Sequence, residues 1–280
     1  MFADTAALAR ECAQQGRGLA AFNVVLLDHA EAFIDAAERC GLPLVLQLSQ
    51  NAVKYHGGRL APLGKALLEL ARASSARVAV HLDHAEDPGL CRAAIDLGFS
   101  SIMYDGSALP DADNRASTKR IAEAAHAAGI SVEAELGEVG GKNGVHDPSA
   151  RTDPDEAAAF VADTGVDMLA VAVGSSHAMA TRDAVLDDAR IAAIHRAVAV
   201  PLVLHGSSGV PDDGMRSAIR AGMTKINVST HLNAVFTSDV RRMLGEDPRA
   251  VDPRKYMGPG NRAVSAEAER LMRLYTTVHD

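Results

Sequence analysis

The chain has 280 residues, of which 48% are apolar and 23% are charged, a composition too rich in core-forming side chains for a disordered protein. The net charge of −8 argues against a dedicated nucleic-acid binder, which would carry a basic face. The apolar runs are too short for a transmembrane helix, and the first residues lack the pattern of a secretory signal. The three cysteines lack metal-ligand spacing and indicate buried thiols, so we expect a cytoplasmic protein. From the charge and the short apolar runs we expect no membrane or nucleic-acid partner.

Eight short apolar runs alternate along the chain with Ala-rich amphipathic stretches. Most of the runs are continuously apolar, which is typical of parallel strands buried on both faces. Eight strand–helix units fit a (β/α)8 TIM barrel, whereas a doubly wound sheet would need fewer strands. We therefore predict a single α/β domain over residues 1–280, a TIM barrel with a C-terminal helical extension. The predicted strands are residues 19–24, 43–49, 78–82, 101–104, 130–136, 168–173, 201–204 and 224–228.

Capping residues predict where some of the helices begin and end. Asp28 is expected to cap a helix that stops at Gly41. Asp153 precedes a proline and two acids, a pattern that favours a helix start. A last helix is predicted over residues 261–275, after an irregular segment at 247–260.

Three histidines lie close to the C-terminal ends of predicted strands, where TIM barrels carry their chemistry. Imidazoles from different strands, with one position left open, are typical of a catalytic Zn²⁺ site. The alternative is a set of hydrogen-bonded histidines at the rim, but the small residues beside them favour a metal. The candidate ligands are His84, His177 and His205, while His81 is either a core group or partner of a ligand, or itself a ligand. We expect the histidines on helices, loops and the tail to be solvated: His29, His56, His126, His195, His231 and His279.

Small and polar residues follow the seventh and eighth predicted strands, where this fold usually binds phosphate. Backbone N–H groups can approach an anion closely there, and a helix that begins after strand eight adds its dipole. The alternative is an ordinary turn and a helix cap. The predicted substrate-binding residues are Gly206, Ser207, Ser208, Asn227, Val228, Ser229 and Thr230, together with Asn23 and Ser49 at the ends of the first two strands.

Three acidic residues lie at the same ends of the strands. Asp83 adjoins His84 and could act as a general acid/base, or alternatively orient a ligand imidazole. Asp105 and Glu135 end neighbouring strands and could hold a second ion or an alternative metal position. The other interpretation is that both are rim carboxylates paired with a base such as Lys142.

Five motifs follow one another on these predicted strands. They are HLDH at 81–84, SVEAELG at 131–137, GSSH at 174–177, LVLHGSSG at 202–209 and KINV at 225–228. In this order they resemble the class II, metal-dependent ketose-bisphosphate aldolases, which include the fructose- and tagatose-bisphosphate aldolases. The resemblance extends over nearly the whole chain, from residue 21 to residue 256.

The resemblance implies a zinc-dependent, reversible aldol cleavage of a phosphorylated ketose. The products would be dihydroxyacetone phosphate and an aldehyde, formed through a metal-stabilised enediolate. The implied roles are zinc ligation by His84, His177 and His205, proton donation to the aldehyde oxygen by Asp83, and a second divalent or monovalent cation, or a relocated metal, at Asp105 and Glu135. Residues 206–208 and 227–230 would hold the phosphate, and the family also implies a homo-dimer or homo-tetramer.

Three departures from the family pattern qualify these expectations. The mobile loop of the family carries an acid where this chain has Lys142-Asn143-Gly144, so His146 or Asp147 is the candidate replacement base. Ala178 stands where the family has a glycine whose backbone contacts the donor. The arginine that holds a distal phosphate in some members is displaced by one position, to Arg262, so a different acceptor aldehyde is expected.

Two other functions stay open on the sequence. One is another metal-dependent lyase or epimerase that uses a different enolate donor. The other is a non-catalytic sugar-phosphate binding protein that has lost the loop base. Against the second, the predicted metal ligands and Asp83 are groups that a binding protein would not need.

Overall fold

The computed structural model describes residues 1–136, 151–176 and 181–276. Within these ranges, eight parallel strands close into a barrel in the order of the chain, and β1 pairs with β8. The predicted TIM barrel is therefore confirmed, and each predicted run overlaps one strand, although the third strand extends to Ala85 and the eighth begins at Met223. The strands are β1 Leu19–Asn23, β2 Leu44–Ser49, β3 Val78–Ala85, β4 Ser101–Tyr104, β5 Ser131–Leu136, β6 Met168–Val171, β7 Leu202–Leu204 and β8 Met223–Val228.

Helices surround the barrel and cover its outer face. They are α1 Thr5–Gln14, α2 Leu27–Cys40, α3 Gln50–Tyr55, α4 Leu60–Ala73, α5 Pro88–Leu97, α6 Asp111–Ala127, α7 Pro154–Thr164, α8 Asp188–Ala197, α9 Asp212–Arg220, α10 Thr230–Glu246 and α11 Pro253–Leu274. In the described parts of the chain, no helix combines the length and the apolar character needed to cross a membrane.

The interior of the barrel changes from apolar to polar along its axis. At the N-terminal end, small and medium apolar residues such as Ala21, Val45 and Val203 pack against α1, which covers this end. Side chains of a strand alternate between its two faces, so the inward residues two positions further along are Asn23, Gln47 and His205. The polar layer therefore lies at the C-terminal mouth of the barrel.

Two of the predicted helix starts are wrong and one is confirmed, and the predicted stop of α2 at Gly41 is confirmed. The helix α2 begins at Leu27 without a side-chain cap, so Asp28 lies inside its first turn. A negative charge there interacts favourably with the helix dipole. The side chain of Asp153 accepts the backbone N–H groups of residues 155 and 156, as a cap does. The last helix, α11, begins at Pro253 rather than at residue 261, because Asp252 caps it and a proline is tolerated in the first turn.

The cysteines are reduced thiols in the described structure. Cys12 and Cys91 are buried, as predicted, whereas Cys40 is half-buried at the end of α2. Burial raises the pKa of the Cys91 thiol to about 12 and that of Cys12 to about 11, so neither is a reactive thiolate at neutral pH.

Candidate active site

Asp83 and His84 are adjacent in β3, yet both side chains reach the mouth of the barrel. Regular alternation would send them to opposite faces of the sheet. The backbone of His84 has a left-handed φ of 47°, and the pairing of β3 with β4 shifts register between Leu82 and Ala85. A bulge of this kind re-aims a side chain, and strained backbone of this kind clusters at functional sites. The irregularity thus brings an acid and an imidazole from consecutive positions to one place.

The imidazoles of His84 and His205 face each other at the mouth. Nε2 of His84 lies 2.7 Å from Nδ1 of His205, and the ring planes are nearly perpendicular at 85°. The opposite nitrogens contact carboxylates, with His84 Nδ1 at 3.0 Å from Asp105 Oδ2 and His205 Nε2 at 2.9 Å from Glu133 Oε1. Where such a carboxylate accepts the outer N–H of a neutral imidazole, the inner nitrogen is left as an acceptor. Two acceptors this close repel each other unless a cation lies between them.

Two overlapping groups of side chains have the spacing of a metal site. Asp83 with the two histidines forms one group, and His84 with Asp105 and Glu135 forms the other, with ligand atoms within 4.8 Å of one another in each. Glu135 Oε2 also lies 3.8 Å from His205 Nδ1. The donors are imidazole nitrogens and carboxylate oxygens, which suit Zn²⁺ and similar divalent ions. The residues present therefore fit a divalent metal.

A buried ion pair supports His205 from below, and sequence reasoning missed both of its members. Lys225 Nζ donates to Glu133 Oε2 at 2.8 Å and to Asn227 Oδ1 at 3.0 Å, and the side chains of both charged residues are fully buried. Glu133 thereby accepts from the lysine on one oxygen and from His205 on the other. The signal was present in the sequence, because each charged residue stands two positions from a predicted site residue of its own strand and so shares its face.

Asp83 is held by two side-chain amides. Asn23 Nδ2 donates to Asp83 Oδ2 at 2.7 Å, and Asn227 Nδ2 lies 3.5 Å from Oδ1. Gln47, another buried residue that the sequence analysis missed, donates to Asn23 Oδ1 at 3.1 Å and so fixes which end of that amide faces the carboxylate. Asn23, predicted as a substrate-binding residue, thus lies against the predicted acid/base. The Ser49 hydroxyl instead accepts the N–H of Ala52 and caps α3.

The predicted phosphate loop after β7 lies close against a neighbouring loop. Gly206 has a left-handed φ of 67°, and a Cβ there would lie 2.6 Å from the backbone of Ser176, so only glycine fits. Ser207 donates its hydroxyl to the carbonyl of Asn227. Ser208 accepts the backbone N–H of His231 at 3.2 Å. The loop after β7 and the start of α10 are therefore joined directly.

The helix α10 is not capped by the residue at its own N-cap position. Ser229 occupies the cap position without making a capping hydrogen bond, and the helix begins at Thr230, just after the buried Val228 at the end of β8. The Ser208 hydroxyl accepts one of the first N–H groups of α10, that of His231, and the other N–H groups of such a helix start favour an anion. We call residues 206–209 and 227–230 the phosphate cradle.

Some predicted site residues lie outside the described residues. They are the third predicted zinc ligand, His177, the neighbouring Ala178, and the candidate replacement bases His146 and Asp147. Their predicted roles remain predictions.

The remaining histidines differ from the expectation that all are solvated. His29 is buried in α2, His56 contacts the carbonyl of Val25 at 2.8 Å, and His231 contacts Glu267 at 2.6 Å. His126 and His195 are exposed, as predicted, and His279 lies outside the described residues. His81 is a core group in contact with the Ser101 hydroxyl, and burial, followed by the charge of Lys225, holds its pKa well below the usual range.

Comparison with known proteins identifies the family of the chain. The model of the family described as "Fructose-bisphosphate aldolase class-II" matches residues 3–279. The chain is 40% identical to a fructose-bisphosphate aldolase of Geobacillus stearothermophilus, over 90% of this chain and 89% of the relative. It is 38% identical to a 6-phospho-5-dehydro-2-deoxy-D-gluconate aldolase of Bacillus subtilis strain 168, over 90% of this chain and 88% of the relative.

A solved structure agrees with this placement. The YdjI aldolase of Escherichia coli K12 superposes with a TM-score of 0.87 at 30% identity, covering 100% of this chain and 99% of that one. The family match spans nearly the whole chain and the curated relatives exceed 30% identity, so the resemblance stated from the five motifs is confirmed. The chain belongs to the class II fructose-bisphosphate aldolase family and is an aldehyde-lyase.

Proposed function

We propose that this enzyme cleaves a phosphorylated ketose reversibly, by a zinc-dependent retro-aldol reaction, into dihydroxyacetone phosphate and an aldehyde. The observation that carries the proposal is the pair of inner nitrogens of His84 and His205, 2.7 Å apart, beside the carboxylate of Asp83. The two nitrogens offer a site for a divalent cation, and the Asp83 carboxylate, a candidate acid/base, lies within 4.8 Å of a ring nitrogen of each histidine. Family membership supports the same reaction class.

The proposed zinc ligands are His84, His205 and His177, of which the third lies outside the described residues. Bound there, the metal would supply a Lewis acid toward the substrate oxygens and stabilise negative charge. Asp105 and Glu133 would keep the two described imidazoles oriented through their outer N–H groups. Asp105 and Glu135 remain the proposed site for a second cation or a displaced metal, supported by their common group with His84.

Asp83 is the proposed acid/base for the aldehyde half of the substrate. In cleavage its carboxylate accepts the proton of the hydroxyl on C4, the C3–C4 bond breaks, and C4 leaves as the aldehyde. The electron pair of the broken bond stays on the other half as an enediolate, which becomes dihydroxyacetone phosphate when C3 takes up a proton. Asp83 returns its proton in the reverse direction. The amides of Asn23 and Asn227 hold the carboxylate in place for this transfer.

The proton at C3 of the ketose needs a second group. His146 and Asp147 are the proposed candidates, since the family acid is absent from the predicted loop. The phosphate is proposed to bind in the cradle, where Gly206, Ser207 and Ser208 lie against the start of α10. Ala178 would lie close to the donor in this arrangement, as the resemblance implies.

The acceptor aldehyde is not fixed by the family. Relatives of similar identity are named for fructose bisphosphate and for 6-phospho-5-dehydro-2-deoxy-D-gluconate. Arg262 lies in α11 next to Asn261, whose amide is 3.4 Å from Asp28 Oδ1. We retain the proposal of an acceptor other than that of fructose-bisphosphate cleavage because Arg262 is displaced from the family pattern, and that of a cytoplasmic protein because of its cysteine usage. The homo-dimer or homo-tetramer is proposed on the resemblance alone.

The test is exchange of the C1 protons of dihydroxyacetone phosphate with D₂O, followed by NMR on the zinc-loaded enzyme and after EDTA. We expect exchange that requires the metal, because the metal would stabilise the negative charge of the enediolate. The acceptor aldehyde need not be known for this half-reaction to be measured. Binding of the compound without exchange would instead favour the sugar-phosphate binding protein. Turnover of another enolate donor without exchange would favour the alternative lyase or epimerase.

A further inference from the structure

Five charged or titratable side chains form a row behind the phosphate cradle, on the side that faces the C-terminal helix. The row joins the segment after β6, the start of α9, the helix α11 and the start of α10. Its members, in order of contact, are Arg182, Asp212, Arg270, Glu267 and His231. None of them belongs to the metal groups or to the predicted substrate-binding residues.

Every neighbouring pair in the row is within hydrogen-bond distance. Arg182 Nη2 donates to Asp212 Oδ1 at 2.6 Å, and Arg270 Nη1 donates to Asp212 Oδ2 at 2.6 Å. Arg270 also donates through Nε and Nη2 to the two oxygens of Glu267, at 2.8 Å each. Glu267 Oε1 lies 2.6 Å from His231 Nε2. The geometry is that of paired, charge-assisted hydrogen bonds rather than of a diffuse charged surface.

Glu267 is the acid of the row that links Arg270 to His231. Burial on its own would raise its pKa, but the hydrogen bonds from His231 and Arg270 outweigh that effect and lower it to about 2. The carboxylate is therefore charged at neutral pH, and only 17% of its side chain is exposed. A carboxylate held in this way keeps the His231 ring of α10 in contact with α11 rather than facing the solvent.

Both ends of the row touch the loop of the cradle. At one end, the backbone N–H of His231 donates to Ser208 Oγ at 3.2 Å, so the residue that contacts Glu267 also contacts the phosphate loop. At the other end, the guanidinium of Arg182 donates to the carbonyl of Val210, directly after the loop, at 2.8 and 3.2 Å. The row thus holds the loop after β7 and the start of α10 at a set separation.

We propose that Glu267 is a positioning residue for phosphate binding, which acts through His231 to fix the start of α10 against the loop at 206–209. The inference rests on the proposed phosphate cradle. A phosphate bound by N–H groups from both elements gains affinity when these elements are already in place, because less ordering is lost on binding. The side chain of Glu267 contacts Arg270 and His231 and not Asp83, so its effect falls on binding of the phosphate rather than on the chemical step.

The test compares Glu267→Gln with Glu269→Gln. Glu269 lies on the same helix and pairs with Arg39 and Arg273, away from the cradle, so it controls for loss of a carboxylate from α11. Calorimetry on the zinc-loaded protein would measure the affinity for inorganic phosphate. The rate of C1-proton exchange at several concentrations of dihydroxyacetone phosphate would separate KM from kcat. For Glu267→Gln we expect phosphate affinity to fall about 3- to 10-fold and KM to rise by the same factor, with kcat nearly unchanged. Glu269→Gln should match the wild type.

A double-mutant cycle tests whether Glu267 acts through His231. Glu267→Gln should have no further effect on phosphate affinity in a His231→Ala background. Additive losses, or a fall in kcat with unchanged KM, would overturn the inference.

The proposed cradle and the positioning role can fail separately. Gly206→Ala should abolish phosphate binding, because its Cβ would collide with the backbone of Ser176. A wild type that binds no phosphate would overturn the cradle and the positioning role together. A wild type that binds phosphate, loses it in Gly206→Ala and keeps it in Glu267→Gln would overturn the positioning role alone.

Discussion

At the scale of single residues, the backbone of His84 determines how the site is assembled. Its left-handed φ and the register shift beside it place two consecutive side chains at the mouth of the barrel, where regular alternation would place one. The carboxylates of Asp105 and Glu133 then orient the imidazoles. The proposed metal ligand His84 and the proposed acid/base Asp83 therefore come from one segment of β3.

Replacing Asp83 by Asn tests its proposed acid/base role. The amide keeps the size of the side chain but cannot accept and return a proton, so kcat for cleavage should fall about 10²- to 10⁴-fold. Bound zinc, measured by elemental analysis, should stay at the wild-type level. Asp96→Asn, at an exposed position of α5, is the control and should leave kcat unchanged. Loss of zinc from Asp83→Asn would identify Asp83 as a metal ligand instead, consistent with its place in a candidate group.

The histidine candidates could be predicted at this scale, whereas their supporting residues were not. Strand-end position in a barrel is a rule about sequence, and it pointed to His84 and His205. Glu133, Lys225 and Gln47 act from inside the barrel, and their partners come from other strands. Which residues of other strands lie opposite them depends on the stagger of the closed sheet, which one sequence does not specify.

At the scale of elements, the C-terminal helix differs most from its prediction. Helix propensity alone disfavours the segment around Pro259, because proline removes a backbone donor. The helix α11 nevertheless runs through it, packed against α2 and α10, and Gly260 allows a close approach: a Cβ there would lie 2.9 Å from Phe236. Tertiary packing therefore outweighs a local preference.

The start of α2 carries a pH-dependent contribution to stability. The buried ring of His29 packs edge-on against that of Phe236, with 4.8 Å between the ring centroids, and its Nε2 has no hydrogen-bond partner among the described residues. Burial lowers its pKa below the usual value of about 6.5, although Asp28 opposes the shift. The unfolded chain therefore binds a proton more readily than the folded one, and stability falls as the pH drops below about 6.5.

Denaturant unfolding at several pH values would test this contribution. In His29→Leu, the loss of stability between pH 6.5 and 5 should be smaller than in the wild type, by at most about 1.4 kcal/mol per pH unit for one proton. The control is Ile34→Val on the same helix, which should cost about 0.5–1.5 kcal/mol equally at every pH. An unchanged pH dependence in His29→Leu would contradict the assignment.

At the scale of the whole molecule, closure of the barrel brings together side chains from strands far apart in sequence. His84 and His205 are separated by 121 positions, yet their inner nitrogens are 2.7 Å apart. A metal held by them would link β3 to the loop after β7 and would bind the folded state in preference to the unfolded one. Metal binding and global stability should therefore be coupled.

Thermal unfolding with and without zinc measures this coupling. Free zinc at 100 times its Kd should add about 2.7 kcal/mol of stability, a rise in Tm of roughly 5 °C for a chain of this length. EDTA should reverse the rise. His84→Ala should show little response to zinc, while Asp96→Asn should respond as the wild type does. An equal rise in His84→Ala would place the stabilising metal elsewhere in the molecule.

The sequence by itself determined the eight strand–helix units and the barrel, and it singled out the candidate metal ligands and phosphate-binding residues, because burial patterns and strand-end positions are local properties of the chain. Only the tertiary structure decided which side chains meet. The bulge that turns His84, the Glu133–Lys225 pair under His205 and the row from Arg182 to His231 all depend on strand stagger and helix packing. Such contacts join residues that are distant in sequence, so no pattern along a single chain specifies them.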